Sequence, residues 1–206
     1  AADPALKAEG ALKKVFLLLR AQTGHDFSQY KPSTINRRIE RRLAVNQIAS
    51  LEGYVKYLQQ TPLEVSALFR DLLIGVTSFF RDAEAFKTLE TQIVPRMFAG
   101  RAEGAAIRVW VPGCASGEEA YSIAILLAEH MEAARQRWTV QIFATDIDAQ
   151  AIAAARLGVY PGNIAAAVSR ERLARFFSLE PGGGYRIHKH LRDMMVFSEQ
   201  DLIKAA

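Results

Sequence analysis

The sequence predicts a doubly wound, Rossmann-like α/β domain preceded by a small all-α unit. Three observations predict it. A β-branched run, Ile107 to Val111, stops at Gly113 and opens a helix at Gly117. A second apolar run, Val140 to Thr145, delivers Asp146 at its carboxyl end. Four amphipathic stretches crowd into the first 74 residues. Strand, helix, strand in this order gives a right-handed parallel crossover, and open sheets bind their ligands at the carboxyl ends of such strands.

Residues 1–10, Ala1-Ala-Asp-Pro4 to Gly10, read as a linker or cloning remnant. From Lys7 to Gln22, Leu12, Val15, Phe16 and Leu19 recur at helical spacing on one face, and Gly24 ends the run. Pro32-Ser33 opens a second helix with Ile35, Ile39 and Leu43 inward, leaving Arg37, Arg38, Arg41 and Arg42 on its remaining surface. A third runs from Ser50 through Leu58. Thr61-Pro-Leu-Glu64 has the spacing of a capping box with proline at the first helical position, which predicts a fourth helix carrying Val65, Leu68, Phe69 and Leu72.

Gly75 marks the end of the helical unit, and Val76-Thr-Ser-Phe-Phe-Arg81 leads into a helix capped by Asp82, with Pro95 near its end. The α/β part then reads as strand 107–111, helix 117–135, strand 139–145 and helix 149–156. From Gly158 to 193 the pattern predicts an inserted β-subdomain: a helix over 169–177, a loop through Pro181-Gly-Gly-Gly184, and a strand over 185–190. The sheet resumes with strand 194–197. The expected domains are therefore 1–74, helical, and 75–206, α/β, with 158–193 inserted.

Composition bounds the function. Half of the 206 residues are apolar, and no window nears eighteen consecutive apolar residues. Membrane insertion and a signal peptide are therefore not expected. The single cysteine, Cys114, excludes an intrachain disulfide and a cysteine-based zinc site and fits a cytoplasmic location. The four histidines are scattered, so no metal is expected; His188 and His190 fall on one face of the predicted strand. The net charge of +4 comes from residues 1–80, with 11 Lys/Arg against 7 Asp/Glu. An acidic protein partner or a solvated helical face explains that excess; a nucleic-acid module is the weaker alternative, because no aromatic-interleaved basic strand accompanies it.

The turn narrows the ligand. Gly113-x-x-x-Gly117-Glu118-Glu119 matches neither the dinucleotide spacing nor the phosphate-cradling loop. Two carboxylates beside the turn repel a diphosphate and suit a cationic nucleoside, and S-adenosylmethionine is such a ligand. A carboxylate at Asp146 suits a ribose diol. A plain helix N-terminus with favourable acidic residues is the competing reading of the turn alone. No nucleophile is expected of Cys114, which has no histidine nearby to activate it.

Thr77-Ser-Phe-Phe-Arg81, Gly113-Cys-Ala-Ser-Gly-Glu-Glu119 and Phe143-Ala-Thr-Asp-Ile-Asp148 stand in order behind a helical unit. In this the chain closely resembles the CheR-type chemoreceptor glutamate O-methyltransferases, from about Val15 to its last residue. The resemblance implies an S-adenosylmethionine domain with Thr77 and Arg81 contacting the cofactor from the joining segment, Glu118 from the glycine turn and Asp146 on the ribose. Gly75, Gly113 and Ala115 complete the expected cofactor set. The family often has asparagine where this chain has Gly75. Arg81 presents a donor fork to the carboxylate of either cofactor or substrate, and the sequence leaves that choice open. One of Phe79 and Phe80 is expected in the core, the other near the methyl group.

The resemblance also implies the reaction: methyl esters formed on glutamates in the cytoplasmic helical region of methyl-accepting chemotaxis receptors, leaving S-adenosylhomocysteine. Arg37, Arg38, Arg41 and Arg42 are then expected to meet that acidic helix. A degenerate S-adenosylmethionine-binding module of a larger signalling protein, or a small-molecule methyltransferase, is the alternative. Because the chain stops soon after strand 194–197, a fragment with weak or no transfer of its own, associating through an open sheet edge, is expected.

Overall fold

The computed structural model describes residues 4–73 and 75–202. The chain divides into two compact units, Ala1–Ile74 and Gly75–Ala206. The readings placed on residues 1–3, 74 and 203–206 lie outside the described residues.

The first unit is built from α1 (Pro4–Thr23), α2 (Pro32–Val45), α3 (Leu51–Gln60) and α4 (Pro62–Leu72). Residues 4–10 are helical rather than the linker expected, because α1 begins at Pro4, which fits the first helical turn. Its core gathers Val15, Leu19, Phe27, Ile35, Ile39, Tyr54, Val55, Leu58, Val65, Leu68 and Leu72, all buried; of the positions that the 3.6-residue spacing put inward, Leu12, Phe16, Leu43 and Phe69 are only half-buried, and Phe27 joins from outside that pattern. Ser50 caps α3 by accepting from the Gly53 N–H at 3.1 Å.

The capping box at Thr61 does not form. The Thr61 side chain makes no cap bond, and Glu64 turns away from it into the bundle. There it meets Arg42, which reached the surface only in the sequence reading: the Arg42 side chain is 17% exposed and pairs with Glu64, with Asp71 at 3.8 Å.

The second unit opens with α5 (Ala83–Thr88), capped by Asp82, whose Oδ1 accepts from the Ala85 N–H. A π-helical turn (Leu89–Ile93) joins α5 to α6 (Val94–Phe98), with the Val94 N–H bonded back to the Leu89 carbonyl. Pro95 has no N–H to continue the regular ladder, which accounts for the widened turn before it. Then follow β1 (Ala106–Pro112), α7 (Glu118–Ala134), β2 (Thr139–Asp146) and α8 (Ala149–Leu157). After them come β3 (Val159–Tyr160), a 3₁₀ turn (Gly162–Ala166), α9 (Arg170–Phe176), β4 (Phe177–Leu179), β5 (Tyr185–Ile187), α10 (Lys189–Arg192) and β6 (Met195–Glu199).

The main sheet has the order β1-β2-β6 and is parallel throughout, with Val109 opposite Ile142 and Ile142 opposite Met195. α7 and α8 pack on it, burying Tyr121, Ile125, Leu127, Ile142, Ala144, Ile152 and Ala155, while Arg108, Trp110 and Gln141 stay exposed. This is the Rossmann-like arrangement expected. Segment 158–193 forms a separate antiparallel sheet, β3-β5-β4. The strand expected over 185–190 ends at Ile187, where His188 becomes the residue before α10, so His188 and His190 share no strand face.

Candidate functional site: the glycine turn and the acid of the second strand

Everything at the site is positioned by the carboxyl ends of β1 and β2. The chain leaves β1 at Pro112 and must reverse into α7 within five residues. Gly113 does so at φ +69° and Gly117 at φ +93°. Gly117 is also fixed by space: a Cβ there would stand 2.9 Å from Ala155 Cβ and 3.3 Å from the Phe197 ring. Beside Gly113 the opposite holds, because nothing lies within 4 Å of where a Cβ would be. The turn is thus closed on its α8 side and open at Gly113, a cradle that one methyl group would begin to fill.

Hydrogen bonds tie this turn to β2. The Cys114 N–H donates to the Thr145 carbonyl at 3.0 Å, and the Ala115 N–H donates to Asp146 Oδ2 at 2.7 Å. Asp146 Oδ1 accepts from the Asp148 N–H at 2.9 Å, and the Asp146 carbonyl accepts from the Gln200 N–H after β6. Each carboxylate oxygen keeps further lone-pair capacity for a ligand. On the opposite face of the sheet, the Trp110 indole N–H donates to Thr145 Oγ1 at 3.1 Å, and Trp110 is 56% exposed.

Glu118 begins α7, and its two oxygens accept from Ser116 Oγ at 3.0 and 2.7 Å. The buried Tyr160 hydroxyl donates to the Ser116 carbonyl. Burial raises the Tyr160 phenol, and Glu118 adds to it. The Cys114 thiol is pushed up to about 12, by burial first and then by Asp146, with Glu119 and Glu118 contributing. Burial is the larger cause of both shifts, and the carboxylates of Asp146, Glu118 and Glu119 add to it. A thiolate is disfavoured there, and so is a phosphate, whereas a cation is welcome.

The segment 75–81 is tied to the first turn of α7 through Phe80. Phe79 is the core member of the pair, meeting Tyr160 and Phe177 edge-on at 4.9 and 5.5 Å. Phe80 has φ +48°, and its N–H donates to Ser122 Oγ, which itself donates to the Glu118 carbonyl. Thr77 is half-buried and Gly75 exposed. Arg81 is exposed, and its Nη1 donates to the Val76 carbonyl within its own loop.

Gly113, Ala115, Glu118 and Asp146 therefore meet in one turn, and Phe80 with Ser122 ties the Thr77–Arg81 segment to α7 beside Glu118. The helix-borne arginines belong to the other unit. Arg37 and Arg41 are exposed, Arg38 is half-buried, and Arg42 faces the bundle interior. Ser116, Ser122 and Tyr160 were not singled out from sequence. Ser122 had a signal, since it lies one helical turn after Glu118 on the same face; Tyr160 had none. Among the described residues, no group of His, Cys, Asp and Glu is arranged to hold a metal ion.

The CheR methyltransferase SAM-binding domain model matches residues 75–206, and the CheR methyltransferase all-alpha domain model matches residues 10–73. The chain belongs to the CheR methyltransferase family. An uncharacterized 104.1 kDa protein of Rhodobacter capsulatus is 38% identical over 198 residues, 96% of this chain and 21% of that protein. The chemotaxis protein methyltransferase of Salmonella typhimurium is 29% identical over 202 residues, 96% of this chain and 67% of that protein. Chemotaxis protein methyltransferase 2 of Vibrio cholerae is 29% identical over 183 residues, 88% of this chain and 63% of that protein. The chain thus spans about a fifth of the Rhodobacter relative and about two thirds of the other two. In CheR terms the glycine turn and Asp146 lie in the S-adenosylmethionine domain, and the open space beside Gly113, with the carboxylates of Asp146 and Glu118 at the same turn, fits that cationic, phosphate-free cofactor.

Proposed function

We propose that this chain carries the cofactor half of a methyl transfer to glutamate side chains of chemoreceptor helices, yielding glutamate methyl esters. The observation that carries the reading is the turn itself: Gly113 open to a ligand, Ala115 held by Asp146, and Glu118 alongside. When bound, S-adenosylmethionine supplies a methyl group already activated by the positive sulfonium.

The residues around it have positioning work to do. Asp146 accepts from the ribose hydroxyls with the lone pairs its two backbone bonds leave free. Glu118 and Glu119 favour the cationic form of the ligand over a neutral or anionic competitor. Thr77 and Arg81 contact the cofactor from the 75–81 segment, and the remaining donors of the Arg81 fork hold a carboxylate. Gly75 has no side chain to offer, so its contact is through backbone. A glutamate carboxylate, with an ordinary pKa of about 4.3, is an anion at neutral pH, and no general base is required of this chain. Its part is alignment and exclusion of water.

Arg37 and Arg41, with the exposed part of Arg38, collect an acidic helix, while Arg42 is withdrawn from that set by Glu64. The name chemotaxis protein methyltransferase borne by the relatives supports this substrate class. A second reading, an S-adenosylmethionine-binding module within a larger signalling protein, is favoured by the Rhodobacter relative, of which this chain matches only 21%.

Labelled methyl S-adenosylmethionine offered with chemoreceptor cytoplasmic helices tests both. Label on the receptor that mild alkali releases as methanol is the expected result for an ester. Cofactor binding without transfer from the whole parent protein supports the module, and label that resists alkali sinks the glutamate assignment.

A further inference from the structure

Arg172 occupies a closed position that the cofactor turn does not explain. It projects from α9, in segment 158–193, and its Nε and Nη2 donate to the two oxygens of Glu129 on α7 at 3.0 and 2.8 Å. Nη2 also reaches Glu90 Oε1, in the π-helical turn, at 2.9 Å. The guanidinium carbon lies over the Phe80 ring, 4.6 Å from its centroid, and the side chain is only 20% exposed. Phe86 meets the same ring edge-on at 5.3 Å.

Phe80 needs such a clamp. Its φ of +48° is a backbone conformation that a residue with a side chain keeps only where its surroundings over-determine it. Two restraints are visible: the N–H bond to Ser122 Oγ and the ring held between Arg172 and Phe86. Arginine alone among the cations can serve here, because a carboxylate fork and an aromatic face are engaged at once; lysine supplies the charge without the plane.

We propose that Arg172 is a positioning residue for the cofactor site: by clamping Phe80 it holds residues 77–81 in the conformation that presents Thr77 and Arg81, and it ties the α9 segment to that site. The proposal rests on the reading of Thr77 and Arg81 as cofactor contacts. Arg175 supplies an internal control, since it pairs with Glu129, Glu132 and Glu171 in the same cluster and stacks on Phe176 instead.

The test compares Arg172→Lys, Arg175→Lys and Phe80→Leu in this chain by amide hydrogen exchange without ligand and by calorimetry with S-adenosylhomocysteine. Arg172→Lys is expected to speed exchange at the Phe80 amide about tenfold while leaving Ile142 in β2 unchanged. It is expected to weaken S-adenosylhomocysteine about fivefold, with Arg175→Lys altering neither. Combining Arg172→Lys with Phe80→Leu should weaken binding no further than the worse single change, because both remove one clamp. Unchanged exchange at Phe80, acceleration spread equally to β2, or faster exchange with undiminished affinity would each overturn the proposal. A wild-type chain that binds no S-adenosylhomocysteine sinks the cofactor reading instead, and the exchange pattern then decides the clamp by itself.

Discussion

Arg42 and Glu64 form a two-point ion pair inside the helical unit, Nε to Oε1 at 2.8 Å and Nη2 to Oε2 at 2.5 Å, with Glu64 only 5% exposed. The Tyr54 hydroxyl and the Asn46 amide also donate to Glu64 Oε1, at 2.8 and 2.9 Å. Burial pulls the Glu64 carboxyl up, but these donors outweigh it and hold it below the ordinary value of 4.5. The pair costs one basic side chain of the α2 surface and fixes α2 against α4.

Its pH dependence follows in sign. A carboxyl lowered in the folded state takes up its proton more readily when unfolded, so its contribution is complete above the ordinary value and is lost as the pH falls through the lowered one. Chemical denaturation followed from pH 7 down to about pH 3 should show the helical unit weakening below about pH 4.5. Glu64→Gln should cost about 3 kcal/mol at pH 7, by leaving Arg42 buried against a neutral group, and should flatten that acid limb. Equal stability of variant and wild type at pH 7 would mean the pair contributes nothing net.

Asp146→Ala removes the proposed ribose acceptor together with the anchor of the Ala115 N–H. Calorimetry with S-adenosylhomocysteine should show a loss of about 1.5–3 kcal/mol, the range for a hydrogen bond to a charged group. The sheet should persist, since β2 keeps its register with β1 and β6. Undiminished affinity in a folded variant removes Asp146 from the site.

The two turn glycines should respond differently to alanine. Gly113→Ala meets open space, so its folding cost should be only the left-handed backbone penalty of about 1–2 kcal/mol, yet the new methyl enters the cradle and should weaken S-adenosylhomocysteine. Gly117→Ala bears a similar backbone penalty and also collides with Ala155 and Phe197, so it should lower the thermal midpoint further. Thermal melts paired with calorimetry separate the two, and a Gly113 variant that binds as well as wild type shows the cradle to be elsewhere.

Reversing Arg37 and Arg41 to Glu should slow methylation of receptor helices roughly tenfold at low ionic strength, with the difference shrinking as salt is added. Affinity for S-adenosylhomocysteine should not change. Arg42→Glu is a poor member of this series, since its failure would come from the bundle rather than from the encounter.

Much of this was written in the chain. The β1 turn and Asp146 were legible because both follow from local chemistry: a β-branched run, glycines at positions of positive φ, an acid where the next strand ends. Glu64 misled for the same reason. Thr61 and Glu64 satisfy the spacing of a cap, and nothing within four residues reveals that Arg42, Asn46 and Tyr54 lie across the bundle to receive the carboxylate. The four-residue α10 is shorter than any window in which helical periodicity can be counted, so its residues were read as an extension of β5. The Phe80 clamp joins residues 92 positions apart in sequence, and only the folded chain brings Arg172 to it.

The Trp110 bond to Thr145 holds an indole on the exposed face of β1, the face opposite the one that carries Ile142, Ala144 and Asp146, largely in water. The chain has two tryptophans, and the other, Trp138, packs against Phe98 with ring centroids 4.7 Å apart. Excitation of the indoles therefore yields two unlike emitters: a solvated, red-shifted Trp110 on β1 and a shielded Trp138 against an aromatic ring. Trp110→Phe should remove the red-shifted component and leave the Trp138 emission in place, which emission spectra of variant and wild type check directly. Burial of that face of the sheet can then be followed without a label, at protein concentrations far below those calorimetry requires.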